Sequence, residues 1–222
     1  MENKALVLVT LRDRDTHWRV FKLYMETWYP ELTIAVIQQA DSNVWNKGLL
    51  YNTGYALLAQ DYDYVILHDI DFLPVLGKVD YGSCEIPCMI AGEASQFNYQ
   101  LYYPEFFGGV IVCSKEHYET VNGFSNKFRG YGGEDDGLRL SFNEKSISTG
   151  VKMGRFECFA HPKPDISHGS QFWNSPDYQH NWNLVHQPRD FSDGLSNYKD
   201  YVDTILDATK HNNYIHIKVK TK

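Results

Sequence analysis

Three short runs of apolar residues, each ending at a charged or polar edge, limit what this chain can fold into. Ala5-Leu-Val-Leu-Val-Thr10, Leu32-Thr-Ile-Ala-Val-Ile37 and Tyr64-Val-Ile-Leu67 are continuous rather than alternating. Continuous β-branched and leucine-rich runs of this length suit strands buried on both faces, the usual condition of parallel strands. The segments between them carry helical periodicity. Thr16 to Trp28 carries Trp18, Phe21, Leu23, Tyr24 and Trp28 as a helix-like face, with Thr16 as a candidate cap and Pro30 as the stop. Leu49 to Leu58 reads as a second helix that tolerates Gly54. Strand–helix–strand–helix–strand predicts a parallel sheet with right-handed crossovers. Ligands in such sheets bind beyond the carboxyl ends of the strands. Arg12 and Arg14 after the first strand, and Asp69 and Asp71 after the third, therefore fall on one predicted active edge.

Past Pro74 the pattern changes. Cys88 to Ala91 and Val110 to Cys113 are short strand candidates, Ser114 caps a short helix through Val121, and Asp136 to Asn143 forms another helix. Residues 162–200 are rich in His, Asn, Asp, Ser and Pro without a period and read as loop, with one helix near Tyr198 to Ala208. Tyr214 to Val219 alternates as a late strand. No repeat or linker divides the 222 residues, so a single α/β domain is expected.

Composition narrows function. A formal charge of −7 argues against a partner bound through a nucleic-acid backbone, while 43% hydrophobic residues support a sizeable core. Aromatic residues make up 15%, which fills a core and also suits stacking on sugar or base rings. Cys84, Cys88, Cys113 and Cys158 form no zinc-type CxxC pairs, and so few cysteines in a chain this long argue against a disulfide framework. The apolar run near the N-terminus is too short for a signal or membrane helix. That points to a cytoplasmic protein as written, or to the Golgi lumen if an upstream anchor has been removed.

Two acidic motifs carry the chemistry. His68-Asp-Ile-Asp71 follows a buried strand, where alternate carboxylates hold a hard divalent cation such as Mg²⁺ or Mn²⁺, or share it with a ribose hydroxyl. A solvated strand end is the plain alternative. An aspartyl phosphatase also uses such a pair, but Phe72-Leu-Pro74 follows here instead of that class's Gly or Thr/Val turn. In the second motif Glu134, Asp135 and Asp136 open a helix, where the dipole favours negative charge by about 0.3–1 kcal/mol each. The dipole does not explain Gly130, Gly132 and Gly133, which permit unusual backbone angles and close ligand approach. A carboxylate exposed there can take a proton from a sugar hydroxyl. Cys158 and His161, three apart, could reach one metal, although a lone histidine is more often a surface or hydrogen-bonding residue.

Taken in order, these segments resemble the catalytic domain of the β-1,4-galactosyltransferases, glycosyltransferase family 7. The likeness rests on Arg12-Asp-Arg14, Asn46-Lys-Gly-Leu-Leu-Tyr-Asn52, Asp61-Tyr-Asp-Tyr64, His68 to Pro74, Phe107-Gly-Gly109, Asn122-Gly-Phe-Ser-Asn126, Gly130 to Asp136, His161 and Asp193-Gly-Leu195. It implies a GT-A fold, a mixed sheet flanked by helices. About residues 1–75 would form a nucleotide-binding half, and about 76–222 an acceptor half with a flexible loop near 162–180. It implies inverting transfer of galactose from UDP-galactose to a glycan hydroxyl, with Mn²⁺ or Mg²⁺. UDP-GalNAc or UDP-glucose as donor, or an inactive carbohydrate-binding domain, are the alternatives.

By position, the resemblance makes Asp71 and His161 metal ligands, with Cys158, at the family's Met position, a candidate third. It assigns donor binding to Arg12, Arg14, Trp45, Lys47, Asp69, Phe106, Gly109, Tyr131 and Glu134. Asp135 becomes the general base, and Asp136 and Tyr131 contact the acceptor. The chain departs from the family at Arg129-Gly-Tyr131 for Trp-Gly-Trp, at Gly137 for a third Asp, and at Thr10-Leu11 for Pro-Phe. Phe106 stands where a Tyr commonly meets the donor sugar, and an aromatic there resembles the galactose-using members.

Overall fold

The computed structural model describes residues 3–160, 175–211 and 214–222. The three apolar runs become β1 (Ala5–Leu11), β2 (Thr33–Gln39) and β3 (Tyr64–His68). β1 lies between the other two and is parallel to both, so that Val7 pairs with Ile34 on one side and Ile66 on the other. Every residue of β1 and β3 is buried, as expected for strands covered on both faces.

Helices α1 (Asp15–Trp28) and α2 (Lys47–Leu58) make the crossovers. α1 buries Trp18, Phe21 and Met25, spaced three and four apart. It starts one residue earlier than predicted. Arg14 takes the cap position without a side-chain cap bond, so Thr16 is not the cap. α2 also starts early, because Asn46 Oδ1 accepts from the Leu49 amide at 2.9 Å and closes the first turn. Gly54 is a packing requirement, since a Cβ there would lie 2.8 Å from the Ile37 side chain.

β7 (Val110–Ser114) extends the sheet antiparallel to β3. Beyond it pair the short β5 (Cys88–Met89) and β8 (Gly150–Val151). The predicted strand over Cys88 to Ala91 is thus shorter, with Ala91 forming only an isolated bridge to Met153. α3 (Lys115–Thr120) follows β7, with Ser114 Oγ accepting from the His117 amide as expected. A small second sheet joins β4 (Phe72–Pro74), β9 (Arg155–Cys158) and β6 (Glu93–Ala94), in the order β4-β9-β6. It brings Cys158 opposite Phe72.

The C-terminal third corrects two expectations. The predicted helix near Tyr198 to Ala208 is a short 3-10 turn (Leu195–Asp200) followed by β10 (Val202–Lys210). Val202, Thr204, Ile205 and Thr209 favour strand, and β10 pairs antiparallel with β11 (Tyr214–Thr221), which adds parallel to β2. The expected loop over 162–200 contains α5 (Pro176–Val185), capped by Ser175 with Pro176 in its first turn. Of the predicted flexible loop, residues 162–174 lie outside the described residues, and 175–180 form the capped start of α5.

His68, at the end of β3, is fully buried. Its Nδ1–H donates to the Asp69 carbonyl at 2.9 Å, and its Nε2 accepts from Tyr81 Oη at 2.8 Å. Burial lowers its pKa from 6.5 to about 4, so the folded ring is neutral where the unfolded ring is protonated. The unfolded state then binds more protons between those two values. The histidine's contribution is complete above pH 6.5 and is lost as the pH falls toward 4, a difference of about 3 kcal/mol. Urea unfolding at pH 7 and pH 5 should give a smaller pH difference for His68→Leu than for wild type. An equal difference would contradict the assignment.

Candidate functional site

The carboxyl ends of β1, β2 and β3 open into a cleft of about 1440 Å³. One small ligand usually fills 300–1,000 Å³, so this space has room for two ligands side by side. One wall comes from the β1–α1 and β2–α2 connections and the turn after β3. The facing wall is built by residues 102–109, by α4 (Glu134–Glu144) with the glycine loop before it, and by α5.

At the centre stands Lys47, the first residue of α2. Its Nζ lies 3.2 Å from Asp69 Oδ1, 3.2 Å from Glu134 Oε1, and 3.1 and 3.0 Å from the two oxygens of Asp135. The Lys47 side chain is only 12% exposed. Burial alone would lower its pKa, but the three carboxylates, Asp135 foremost, hold the ammonium well above its ordinary value. The acids are raised too, which in their case favours the neutral form. Burial, with Asp71 and Glu134 adding repulsion, pushes Asp69 up to about 6 against the pull of Lys47. Asp135 is also raised well above its ordinary value, again by burial first, with Glu134 and Asp69 adding to it. One ammonium does not neutralise three partly desolvated carboxylates, so the cluster attracts further positive charge.

The glycines set this geometry. Gly132 and Gly133 have φ of +92° and +87°, and Gly133 takes the cap position of α4 in a left-handed conformation. No side chain caps the helix there, and Glu134, Asp135 and Asp136 fill its first turn. A Cβ at Gly108 would stand 2.5 Å from Asp135 Oδ2, so only glycine lets the carboxylate lie against that backbone. Asp136 accepts a hydrogen bond from Tyr103 Oη at 2.8 Å, and burial raises its pKa. Gly137 packs on Phe128, whose ring would be 2.7 Å from a Cβ; that contact leaves no room for an acidic side chain.

On the opposite wall the Arg12 guanidinium sits 5.3 Å from the Trp45 ring centre and donates to the Asn43 carbonyl at 2.5 Å. Arg14 and Asp71 line the same space. Asp71 is 9% exposed, and its carbonyl accepts from the Phe159 amide at 2.8 Å, which draws the end of β9 alongside. Cys158 stands there half-buried, its thiol pushed up to about 11 by burial with the Asp71 charge adding to it. Gly109 accepts from the Asp69 amide at 2.8 Å, and Phe106 packs edge-on against Phe97 and Tyr103. Tyr131 lines the cleft, 37% exposed. His161 lies outside the described residues. Among the described residues no group of three or more His, Cys, Asp or Glu side chains is arranged to hold a metal.

Sequence reasoning placed Lys47 at the site but not as the hub of the acids, because nothing in its neighbours announces contacts 22 to 88 positions away. It also missed Asn181. That buried side chain on α5 donates to the Arg129 and Gly132 carbonyls at 2.7 and 2.8 Å and accepts from the Arg129 amide at 3.2 Å, pinning the glycine loop. The Ser175-Pro-Asp177 start of α5 was the available signal.

Comparisons agree with this architecture. A family model described as the N-terminal region of glycosyl transferase group 7 matches residues 1–85, and one described as the N-terminal domain of galactosyltransferase matches residues 90–168. Human β-1,4-galactosyltransferase 1 is 30% identical over 98% of this chain and 54% of its own length. A Lymnaea stagnalis β-N-acetyl-D-glucosaminide β-1,4-N-acetylglucosaminyl-transferase is 36% identical over 65% of this chain and 29% of its own. The chain thus spans about half, or less, of the curated relatives it matches. The catalytic domain of Drosophila β-1,4-galactosyltransferase 7, in complex with xylobiose, superposes with a TM-score of 0.77 at 24% identity, covering 99% of this chain and 94% of that one. A mutant of that enzyme, solved with manganese, UDP-Gal and xylobiose, gives 0.74 at 21% identity, with the same coverage of both chains. With a GT-A arrangement of mixed sheet and flanking helices, and with matches to both group 7 models, the chain belongs to glycosyltransferase family 7.

Proposed function

We propose that this chain transfers galactose from UDP-galactose to a hydroxyl of a glycan acceptor with inversion, forming a β-1,4 linkage in a metal-dependent reaction. The observation that carries this reading is the position of Asp135. It is a partly desolvated carboxylate, 3.0 Å from Lys47, that faces the Asp69–Asp71 strand end across one cleft. Inversion needs a proton acceptor on one side of the sugar and a stabilised leaving group on the other. The names of the relatives support the donor: the human protein is a galactosyltransferase, and the Drosophila structure holds manganese, UDP-Gal and xylobiose.

Asp135 takes the proton of the acceptor hydroxyl as its oxygen attacks the anomeric carbon. Glu134 and Asp136 accept hydrogen bonds from donor and acceptor hydroxyls, and Tyr131 covers both sugars. Phe106, braced by its aromatic neighbours, walls the donor sugar, and Gly109 leaves room for it. Arg12 and Arg14 meet the diphosphate and uridine, Trp45 stacks on the uracil, and Asp69 and Lys47 hold the donor. Residues up to about 75 thereby serve the nucleotide, and the later residues serve the acceptor.

Asp71 would hold the metal, with Cys158 beside it. A single carboxylate fits Mn²⁺ or Mg²⁺ when substrate phosphates complete the coordination, whereas burial pushes the Cys158 thiol up to about 11, and it is the thiolate that would bind a metal, preferring a softer one. When bound, the ion supplies positive charge to the departing diphosphate.

Three measurements test this reading. UDP release from UDP-galactose, UDP-GalNAc and UDP-glucose with Mn²⁺ should be fastest for UDP-galactose, and release from none would contradict the proposal. Asp135→Asn should lower turnover about 10²–10⁴-fold without lowering the melting temperature, because the change removes a general base and also relieves repulsion within the acid cluster. Unchanged turnover would remove Asp135 from its role. Asp71→Ala should raise the Mn²⁺ concentration needed for half-maximal activity by about 10–100-fold; an unaltered metal titration would move the metal elsewhere. Separately, Lys47→Met should cost about 3–5 kcal/mol of stability by leaving buried acids unpaired. Urea unfolding checks this, and a loss under 1 kcal/mol would show that the cluster does not depend on Lys47.

A further inference from the structure

Four arginine and lysine side chains line the cleft, and three of them have partners. Arg12 donates to the Asn43 carbonyl, Lys47 sits among its three carboxylates, and Arg14 is engaged as well. Arg139 is different. It lies on α4 one turn beyond Asp136, half-buried, and its guanidinium makes no hydrogen bond or ion pair with any described residue. Its Nε is closed off from solvent without an acceptor. A buried N–H left unpaired is destabilising, and few occur in native proteins.

Charge balance within the acid cluster is the plain alternative. A guanidinium serving that purpose alone would turn its donors onto a carboxylate. Asp136 instead accepts from Tyr103 Oη at 2.8 Å, although Arg139 is close enough to favour its charged form. Nearby arginines do find such partners. Arg129 pairs with Asp177 at 3.1 Å, and Arg189 Nη2 donates to the Leu184, Val185 and Gln187 carbonyls. Arg139 thus offers the cleft a cation whose donors are still to be used.

The five N–H donors of a guanidinium form a fork that matches a carboxylate or phosphate. Residues three apart on a helix lie about 5–6 Å from each other, so an anion on Arg139 falls within one sugar unit of a hydroxyl held by Asp136. Asp136 and Glu105 are neighbours, and their charge does not draw anions in general. Selection therefore rests on the paired bonds of the guanidinium itself.

We propose that Arg139 binds an anionic group of the acceptor, a carboxylate or a phosphate on the reacting sugar or the one next to it, so that acidic glycans are preferred to neutral ones. This proposal rests on the transferase reading above.

The test compares acceptors in pairs that differ only in the acidic group. The pairs are a β-glucoside and the β-glucuronide, a β-glucoside and its 6-phosphate, and disaccharides whose second unit is glucose or glucuronic acid. UDP-galactose and free Mn²⁺ are held constant. At least one acidic member should exceed its neutral partner about tenfold or more in kcat/KM, chiefly through KM; which pair does so separates carboxylate from phosphate. In Arg139→Gln that ratio should fall to near one, and Arg139→Lys should restore only part of it, because an ammonium lacks the fork. An acidic member no better than its neutral partner in every pair would overturn the proposal, as would a preference that survives Arg139→Gln. If no donor releases UDP, the transferase reading fails by itself. Where transfer is absent, calorimetric binding of the same pairs decides this proposal. Tighter binding of an acidic member that is lost in Arg139→Gln supports it, and equal binding or none rejects it.

Discussion

A single ammonium set among three carboxylates organises this molecule's cleft. Asp69 follows a central strand, Glu134 and Asp135 begin a distant helix, and Lys47 begins another, yet each acid lies 3.0–3.2 Å from the Lys47 ammonium. Bringing acids together in a partly dry site is costly, and one lysine offsets only part of that cost. Both the fold and the proposed chemistry follow from the remaining imbalance. The fold needs Lys47 to hold the two walls together. The unneutralised charge suits a site whose ligands bring cations and hydroxyl donors.

The scaffold fixes this cluster from behind. β1 and β3 are buried along their whole length, so the residues that leave them have little freedom. Neutral, buried His68 ties the end of β3 to Tyr81 and to the Asp69 backbone. On the other wall, the close fit of Gly108 against Asp135 and the grip of Asn181 on the 129–132 backbone set the first turn of α4. Functional groups thus sit on loops and helix starts, while rigid strands and a buried amide set their positions.

Much of this was legible in the sequence, and the limits have physical causes. Continuous apolar runs fixed β1, β2 and β3 because two-sided burial leaves no room for polar residues. The strand–helix alternation alone puts Arg12, Arg14, Asp69 and Asp71 on one edge, and all four line the cleft. The acids after the glycines could be assigned to a helix start from electrostatics alone. Past residue 160 the local signals weaken. β10 is largely exposed, so no burial pattern marks it, and its pairing with β11 decides its conformation. α5 buries only Asn181, so hydrophobic periodicity could not reveal it, although Ser175 and Pro176 announce its start. The convergence of Lys47 on three acids is a tertiary fact that local patterns do not encode.

The most direct test is the position of the metal in a crystal grown with Mn²⁺ and UDP, located by anomalous scattering. In the proposed mechanism the ion is bonded to an Asp71 oxygen, the uracil lies against Trp45, and Lys47 stays between the ion's site and Asp135. An ion seated among Glu134, Asp135 and Asp69 in place of the Lys47 ammonium, or a nucleotide bound outside this cleft, would contradict it.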